Sequence, residues 1–488
     1  MSRRKPVVPP ANTSQKNPSK TKAQRKRAPR SAREDPVVLT VLNPHAAGID
    51  VHSDMHMVCV PADRIAALGA DLADGLPANV RRFGANSCDL HAIAAWLSEC
   101  GVTTVALEST GVYWIPLFEL LEARGFEVYL VEPGQLAHCG ARPKTDVLDV
   151  QWLQRLHTYG LLRPSFRPAD SILALRGYHR QRQMQIRYAA SHVQHMQKAL
   201  EQMNVKLAEV LADITGLTGR RIIEAILQGE RDPQQLAALR NVQCHNDQET
   251  IGRALEGTWR PEHLFALRQA YDLYRFHHQQ IAECERIIQD ELAKLPNRAG
   301  EKPFQAKPRK GGRKQNDLTF AAGEPLFRAL GVDLTEIEGI DVRTALVILA
   351  ELGVDVSRFP TEKHFASWLG VCPRQCESNK SKKKRGPRRG KNRIAMALRM
   401  AAQGLSKTKS PLAQFYRRIK SRIGGRGAIT ATAHKLACLV YRMLKYGKEY
   451  VKQSMEQYEA KLKEQLERSL QRKAAALGYK LVPNTVPA

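Results

Sequence analysis

The chain is 488 residues long, 43% hydrophobic and 25% charged, which excludes a disordered protein and supplies enough apolar material for about three packed domains. Lysine and arginine number 76 against 48 aspartate and glutamate, and a net charge of +28 points to a polyanionic partner, nucleic acid ahead of any membrane. No apolar run approaches the ~18 residues of a spanning helix, Met1 to Pro6 leads into no apolar signal core, and nine scattered cysteines argue against a disulfide framework, so a reducing cytosol is the expected compartment.

Residues 1–36 hold eleven Lys or Arg among Pro and Ser, with almost no large apolar side chains. Such a segment cannot offset its ordering entropy by burial, and it is expected to be a disordered basic arm making sequence-independent phosphate contacts. From 37 to 165 strands alternate with helices. Ile49–Val60 reads as one or two strands, Asp89–Glu99 as a helix, Val102–Leu107 as a buried strand, Ile115–Ala123 as a helix and Phe126–Val131 as a strand, the pattern of an α/β sheet covered by helices.

Four acids stand out in this region. Asp50 lies in the strand-like Ala47-Gly48-Ile49-Asp50-Val51-His52, Glu108 closes Val105-Ala106-Leu107-Glu108-Ser109-Thr110-Gly111, and Asp146 and Asp149 open a helix behind a Thr145 cap. The last two, three residues apart, project from one helical face. Taken singly each has an ordinary explanation, since a first helical turn favours acids and strand-end acids are often solvated. Together they form a like-charged set that divalent cations, Mg²⁺ by preference, would neutralise.

Residues 166–296 change character. Ile186, Ala189, Val193, Met196, Leu200, Met203, Leu207 and Val210 step by three and four, and a second seam from Leu264 to Leu295 is broken only by His278 and Glu285. Two such helices are expected to pair as a hairpin or against copies in a partner subunit. Arg180, Arg182, Arg187, His192 and His195 read as their solvated face, with a nucleic-acid surface as the lesser alternative. A basic linker is expected over 297–325 and a helical C-terminal domain over 326–475, ahead of a frayed tail at 476–488.

The C-terminal domain opens on Glu336-Ile337-Glu338-Gly339-Ile340-Asp341, which is similar to a helix-hairpin-helix whose turn amides at Gly339 hold a phosphate. Farther on, Ser378 precedes nine basic residues, Lys380, Lys382, Lys383, Lys384, Arg385, Arg388, Arg389, Lys391 and Arg393, a cationic loop suited to a nucleic-acid backbone. Cys372 and Cys376 have no partner pair at zinc-site spacing and read as structural. Helices are expected over Asn392–Leu405 and from Ile429 to about Ala474.

Gly48-Ile49-Asp50-Val51-His52, Ala106 to Gly111, Lys144-Thr145-Asp146-x-x-Asp149 and Trp368-Leu369-Gly370-Val371-x-Pro373-Arg374 together resemble the DEDD transposases of the insertion-sequence 110 family, over roughly residues 40–450. The resemblance implies a RuvC-like, ribonuclease-H-type domain, a coiled-coil insertion and a C-terminal transposase domain with a catalytic serine, an α/β plus all-α chain of the bacterial cytosol. By motif, Asp50, Glu108, Asp146 and Asp149 match the metal-binding tetrad and Ser378 the nucleophile; the segment reads Glu377-Ser378-Asn379-Lys380-Ser381 where the family has a Ser-Gly-Gly-like run, leaving Ser381 as a rival. The family further implies Mg²⁺, two ions per site, strand cleavage and rejoining through phosphoserine-linked DNA, a noncoding bridge RNA pairing with donor and target DNA, and a homo-oligomeric dimer or tetramer with composite sites. The alternatives are a structure-selective endonuclease activating water with the same acids, and a non-catalytic nucleic-acid binder.

Overall fold

Ala46–Val51 (β1) is buried at every position, as a strand covered on both faces must be. It turns through Ser53 and Asp54 into Met55–Cys59 (β2), antiparallel with Gly48 opposite Cys59 and Asp50 opposite Met57, so the expected one or two strands are a hairpin. Val80–Gly84 (β3) joins beyond β2, while Thr104–Glu108 (β4) and Glu127–Val131 (β5) add in parallel beyond β1, giving the order β3-β2-β1-β4-β5. β3 reads Val-Arg-Arg-Phe-Gly and lacks apolar alternation, which is why periodicity passes over it; Arg81 and Phe83 pack instead on the Trp96 ring. This structure, a computed structural model, describes residues 39–65, 75–137, 145–306, 312, 315–372, 377–378, 381–382 and 392–480. The basic arm at 1–36, the end of the tail, Lys144 and most of the cationic loop lie outside them.

The chain divides into two compact units, Met1–Phe166 and Arg167–Ala488. In the first, helices Ala62–Ile65 (α1), Ser87–Glu99 (α2), Trp114–Ala123 (α3), Pro133–Ala137 (α4) and Asp146–Thr158 (α5) accompany the sheet. Ala47, Ile49, Val51, Val105 and Leu107 turn to one face, where Ile93 and Leu97 of α2 and Leu117 and Leu121 of α3 cover them. Ala106, Met57 and Cys59 belong to the other face, which packs on Val150, Leu153 and Leu156 of α5. Helix α5 can lie that close because of Gly48: a Cβ there would stand 2.6 Å from the backbone nitrogen of Gln154 and 2.9 Å from the carbonyl oxygen of Val150. Gln154 Nε2 then donates to the Ala46 carbonyl at 3.1 Å, fixing helix to strand.

The second unit is built on two long helices, Asp170–Gln202 (α6) and Pro261–Lys294 (α11), bridged by Leu207–Val210 (α7), Leu217–Gln228 (α8), Pro233–Ala238 (α9) and Gln248–Ala254 (α10). Arg182 meets Glu285 while His192, farther along α6, stacks on His277, so the pair is antiparallel and the expected hairpin forms within the chain. The first seam does not stay on one helix: α6 ends at Gln202, Asn204 takes a left-handed φ of +55°, and Leu207 and Val210 belong to α7.

The solvated face expected for Arg182 is corrected by the structure. Arg182 is buried against buried Glu285, and Arg180 forks onto Glu351 with hydrogen bonds of 2.9 and 2.7 Å. Glu285, the charged break in the second seam, requires an internal cation once buried, and Arg182 is that cation. Glu285 also accepts from Thr319 N at 2.7 Å, Arg182 donates to the Asn316 carbonyl at 3.0 Å, and Gln315 donates to Thr215 at 2.7 Å, so the downstream half of the expected linker is packed onto the hairpin.

Gly323–Leu330 (α12), Val342–Leu352 (α13), Glu362–Trp368 (α14), the short strands Glu377–Ser378 (β6) and Ser381–Lys382 (β7), Arg393–Leu405 (α15), Pro411–Tyr446 (α16) and Lys448–Ala476 (α17) complete the unit. Helix α13 is buried along almost its whole length, and α16 begins at Pro411 rather than near Ile429, bending at Gly424 where φ is +78°. Among the described residues no helix is long and apolar enough to cross a membrane.

Candidate carboxylate site

The site begins with strand register. Ile49 on β1 pairs with Leu107 on β4, and one position farther stand Asp50 and Glu108, which therefore share the sheet face opposite the main core. That face is the one α5 covers. Thr145 caps α5, its Oγ1 accepting from Leu148 N at 3.2 Å, and the apolar stripe Val150, Leu153 and Leu156 holds the helix down so that its first turn, with Asp146 and Asp149, overhangs the end of β1.

The result is a tight group. One ligand atom each from Asp50, His52 and Asp146 all lie within 4.8 Å of one another, the group among the described residues with the reach to hold a single ion. His52 Nε2 is 3.3 Å from Asp50 Oδ2, is buried, and has no partner in hydrogen-bonding geometry. Burial lifts the Asp50 carboxyl above its ordinary range; His52 opposes that lift, and Asp146 and Asp149 add to it. Asp149 is thus close enough to act on Asp50, whereas it and Glu108 stand outside the three-atom group. A buried carboxylate crowded by two more acids, with an orphaned imidazole nitrogen beside it, has the donor chemistry of a divalent-cation site.

His52 is the candidate ligand that motif reading passed over. It follows Asp50 by two positions, the same-face period of a strand, which is the signal that could have found it.

The remaining expected site residues belong to the second unit. Ser378 is in β6 and Ser381 in β7, where they are register partners in an antiparallel pair; Lys382 follows in β7. Lys380, Lys383, Lys384, Arg385, Arg388, Arg389 and Lys391 lie outside the described residues, as does Cys376. Arg393, expected among the phosphate contacts, opens α15 with a partly exposed guanidinium that donates to Gln183 and stands 3.5 Å from Glu351. Gly339 does sit in a turn, with φ of +88° and Leu405 packed where a Cβ would go. The preceding element is a single 3-10 turn, Leu334–Glu336, and the head of α13 is closed by Asp341, which accepts from Thr344 N at 2.8 Å. The expected pair of short helices is therefore one turn and one helix, and the first turn of that helix is capped by a side chain.

A five-stranded mixed sheet with an acid cluster at one strand end that could hold a metal ion, followed by a large helical unit in a strongly basic chain, fits the class of nucleic-acid-processing enzymes. The family model described as "Transposase", of the DEDD type, matches residues 47–205, which include all four acids. The model of the "Transposase IS116/IS110/IS902 family" matches residues 333–417, and the two matches together span half of the chain. The protein belongs to the IS110 family of transposases and is a DNA transposase. No curated protein matches the chain.

Proposed function

We propose that the protein cuts and rejoins DNA at the ends of an insertion sequence, with Asp50, Glu108, Asp146 and Asp149 holding Mg²⁺ at the scissile phosphate and Ser378 as the attacking group. The observation that supports it most is the convergence of Asp50, His52 and Asp146 within 4.8 Å. The five-stranded sheet is then a RuvC-like, ribonuclease-H-type domain, and the α6–α11 pair the coiled-coil insertion. Divalent ions bound there supply charge stabilisation to the phosphoryl group in the transition state. His52 adds an imidazole to the oxygen donors, so Mn²⁺ should substitute well for Mg²⁺.

The chain's own residues have three tasks. Asp50, kept partly from water on β1, and Asp146, on the first turn of α5, fix the position of the phosphate relative to the sheet. Glu108 and Asp149 would complete the anionic cage around the cation, through which the four acids would hold the phosphate. The Ser378 hydroxyl oxygen forms a new P–O bond while one DNA P–O bond breaks, the departing oxygen takes a proton, and the phosphoserine ester conserves the bond energy for rejoining. Reversal with a second DNA hydroxyl regenerates the serine. A bridge RNA pairing with donor and target DNA would supply sequence choice, leaving Lys382, Lys383, Lys384, Arg385 and their basic neighbours to read backbone. Dimers or tetramers would bring acids and serines of different copies to one phosphate.

The test is a denaturing gel of labelled insertion-end DNA incubated with protein, co-purified RNA and Mg²⁺. A covalent protein–DNA species that disappears in both Asp146→Asn and Ser378→Ala is expected. An adduct that survives Ser378→Ala and is lost in Ser381→Ala moves the nucleophile across the β6–β7 pair. Cleavage without any adduct that survives both serine substitutions replaces the proposal with hydrolysis.

A further inference from the structure

A cluster of opposite sign lies wholly within the second unit. Arg176 and Arg180 of α6 and Arg393 at the head of α15 converge on a single acid, Glu351 of α13. Arg176 Nε is 3.0 Å from Glu351, Arg180 Nε and Nη2 donate to it at 2.9 and 2.7 Å, and Arg393 Nε is 3.5 Å away. The α6 residues fall at helical spacing: Arg176, Arg180 and Gln183, the last of which accepts from Arg393, form one stripe, and Arg187 continues it one turn on.

The charge in this cluster does not balance. One carboxylate faces three guanidiniums, and exposed Arg187 is close enough to add its charge to the field at Arg393. Glu351 is the inner member, its side chain 7% exposed, while those of Arg176, Arg180 and Arg393 are 23%, 39% and 29% exposed and reach solvent. A carboxylate accepts a bidentate fork from one arginine, as it does from Arg180; satisfying Glu351 does not call for three, and each guanidinium carries five donors. His179, on the same helix and 3% exposed, lies in the field of Glu351, Arg393 and Arg180, and its Nδ1 has no hydrogen-bond partner. Burial also holds the Arg176 and Arg393 guanidiniums below their usual range, a penalty that a bound anion would relieve.

We propose that Arg176, Arg180, Arg187 and Arg393 form a phosphodiester track along α6 and the head of α15, taking backbone phosphates of the protein's nucleic acid, with Glu351 as the buried anchor that holds the guanidiniums in place. The proposal rests on the transposase reading for the identity of the polyanion.

The experiment measures binding of full-length protein to a random-sequence DNA duplex of about 30 base pairs and to an RNA hairpin of similar length, as the slope of log affinity against log salt concentration. Arg187→Gln, a surface change, should lower the slope by about 1, and Arg180→Gln with Arg187→Gln by about 2, for DNA, for RNA or for both. A fall for one polymer alone identifies whose phosphates lie on the track. Unchanged slopes for both polymers in Arg187→Gln, with thermal unfolding like the parent's, overturn the proposal even where the double variant fails to fold. Asp146→Asn run alongside separates the two readings: lost cleavage with unchanged Arg187→Gln slopes rejects only the track, and retained cleavage with a reduced slope rejects only the metal-dependent mechanism.

Discussion

Gly48 and Gln154 touch backbone to backbone: a Cβ on Gly48 would stand 2.6 Å from the Gln154 nitrogen, so β1 and α5 are separated by no side chain at all at the point where the strand passes beneath the helix. The contact sets the distance between Asp50, two residues along β1, and Asp146, two turns back along α5. Gly48→Ala must therefore push α5 outward. The expected result is a loss of about 1–3 kcal/mol in stability from overpacking, together with a loss of strand cleavage well beyond what the lowered stability explains. Urea unfolding and the cleavage gel, read on the same preparation, check both; a variant with full cleavage would mean that the helix position is not what assembles the acids.

Asp50 gives the opposite sign of effect on stability. Its carboxyl is lifted by burial and by Asp146 and Asp149, so in the absence of a cation its charge opposes folding. In a chelator, Asp50→Asn should raise Tm by about 2–4 °C, and in Mg²⁺ the same variant should show no cleavage. Adding Mg²⁺ or Mn²⁺ should raise the Tm of the parent and leave that of the variant unmoved, because ion binding to the folded state is what shifts the equilibrium. A parent protein indifferent to both ions would remove the metal from the account of Asp50.

The sequence made the acids legible and left their meeting place hidden. Asp146 and Asp149 could be put on one helical face from spacing alone, and the Thr145 cap with them, because those are relations within one turn. That β4 lies beside β1, so that Asp50 and Glu108 share a face, depends on pairing across more than fifty residues, which no local pattern encodes. His52 was visible as the same-face neighbour of Asp50, yet a histidine at a strand end is more often incidental, and only the 4.8 Å grouping sets it apart. The break at Glu285 was legible as well; its partner Arg182, on the other helix, was not. Ser378 and Ser381 were not separated by the sequence, because the segment departs from the family's Ser-Gly-Gly-like run, and the strand pair sets the two opposite each other.

Arg182 and Glu285 supply a stability test of the hairpin. Both are buried, and Glu285 also holds Thr319 N at 2.7 Å while Arg182 holds the Asn316 carbonyl at 3.0 Å. Removing one partner leaves the other as an uncompensated buried charge, so Arg182→Met and Glu285→Leu should each cost about 3–5 kcal/mol. The double variant should recover most of that loss, since replacing a buried pair by apolar residues is often neutral. Proteolysis should report the same event locally, with new cleavage near residues 315–319 in either single variant and less of it in the double. Equal and additive losses in the double-mutant cycle would show that the two side chains do not depend on each other.

His157 provides a pH dependence whose sign follows from its surroundings. It is 1% exposed on the inner face of α5, its ring 4.7 Å from that of Tyr129 and its Nε2 2.9 Å from Thr104 Oγ1. The Thr104 hydroxyl donates to the Glu127 carbonyl at 3.0 Å, which leaves its oxygen as acceptor and assigns the ring proton to Nε2. Burial pushes the imidazole down to about 4 from an ordinary 6.5, so the folded ring stays neutral where the unfolded ring takes up a proton. Stability from this group is therefore complete above about pH 6.5, falls as the pH drops toward 4, and levels off below, with a total on the order of 3 kcal/mol. His179, pushed to about 4 by burial and by Arg182, acts with the same sign in the second unit. His157→Gln should lower stability at pH 7 through lost packing and yet flatten the decline between pH 7 and 5, and His179→Gln added to it should flatten the decline further. Urea midpoints at those two pH values decide the matter: a decline in His157→Gln parallel to the parent's would mean that acid acts on the fold through other groups.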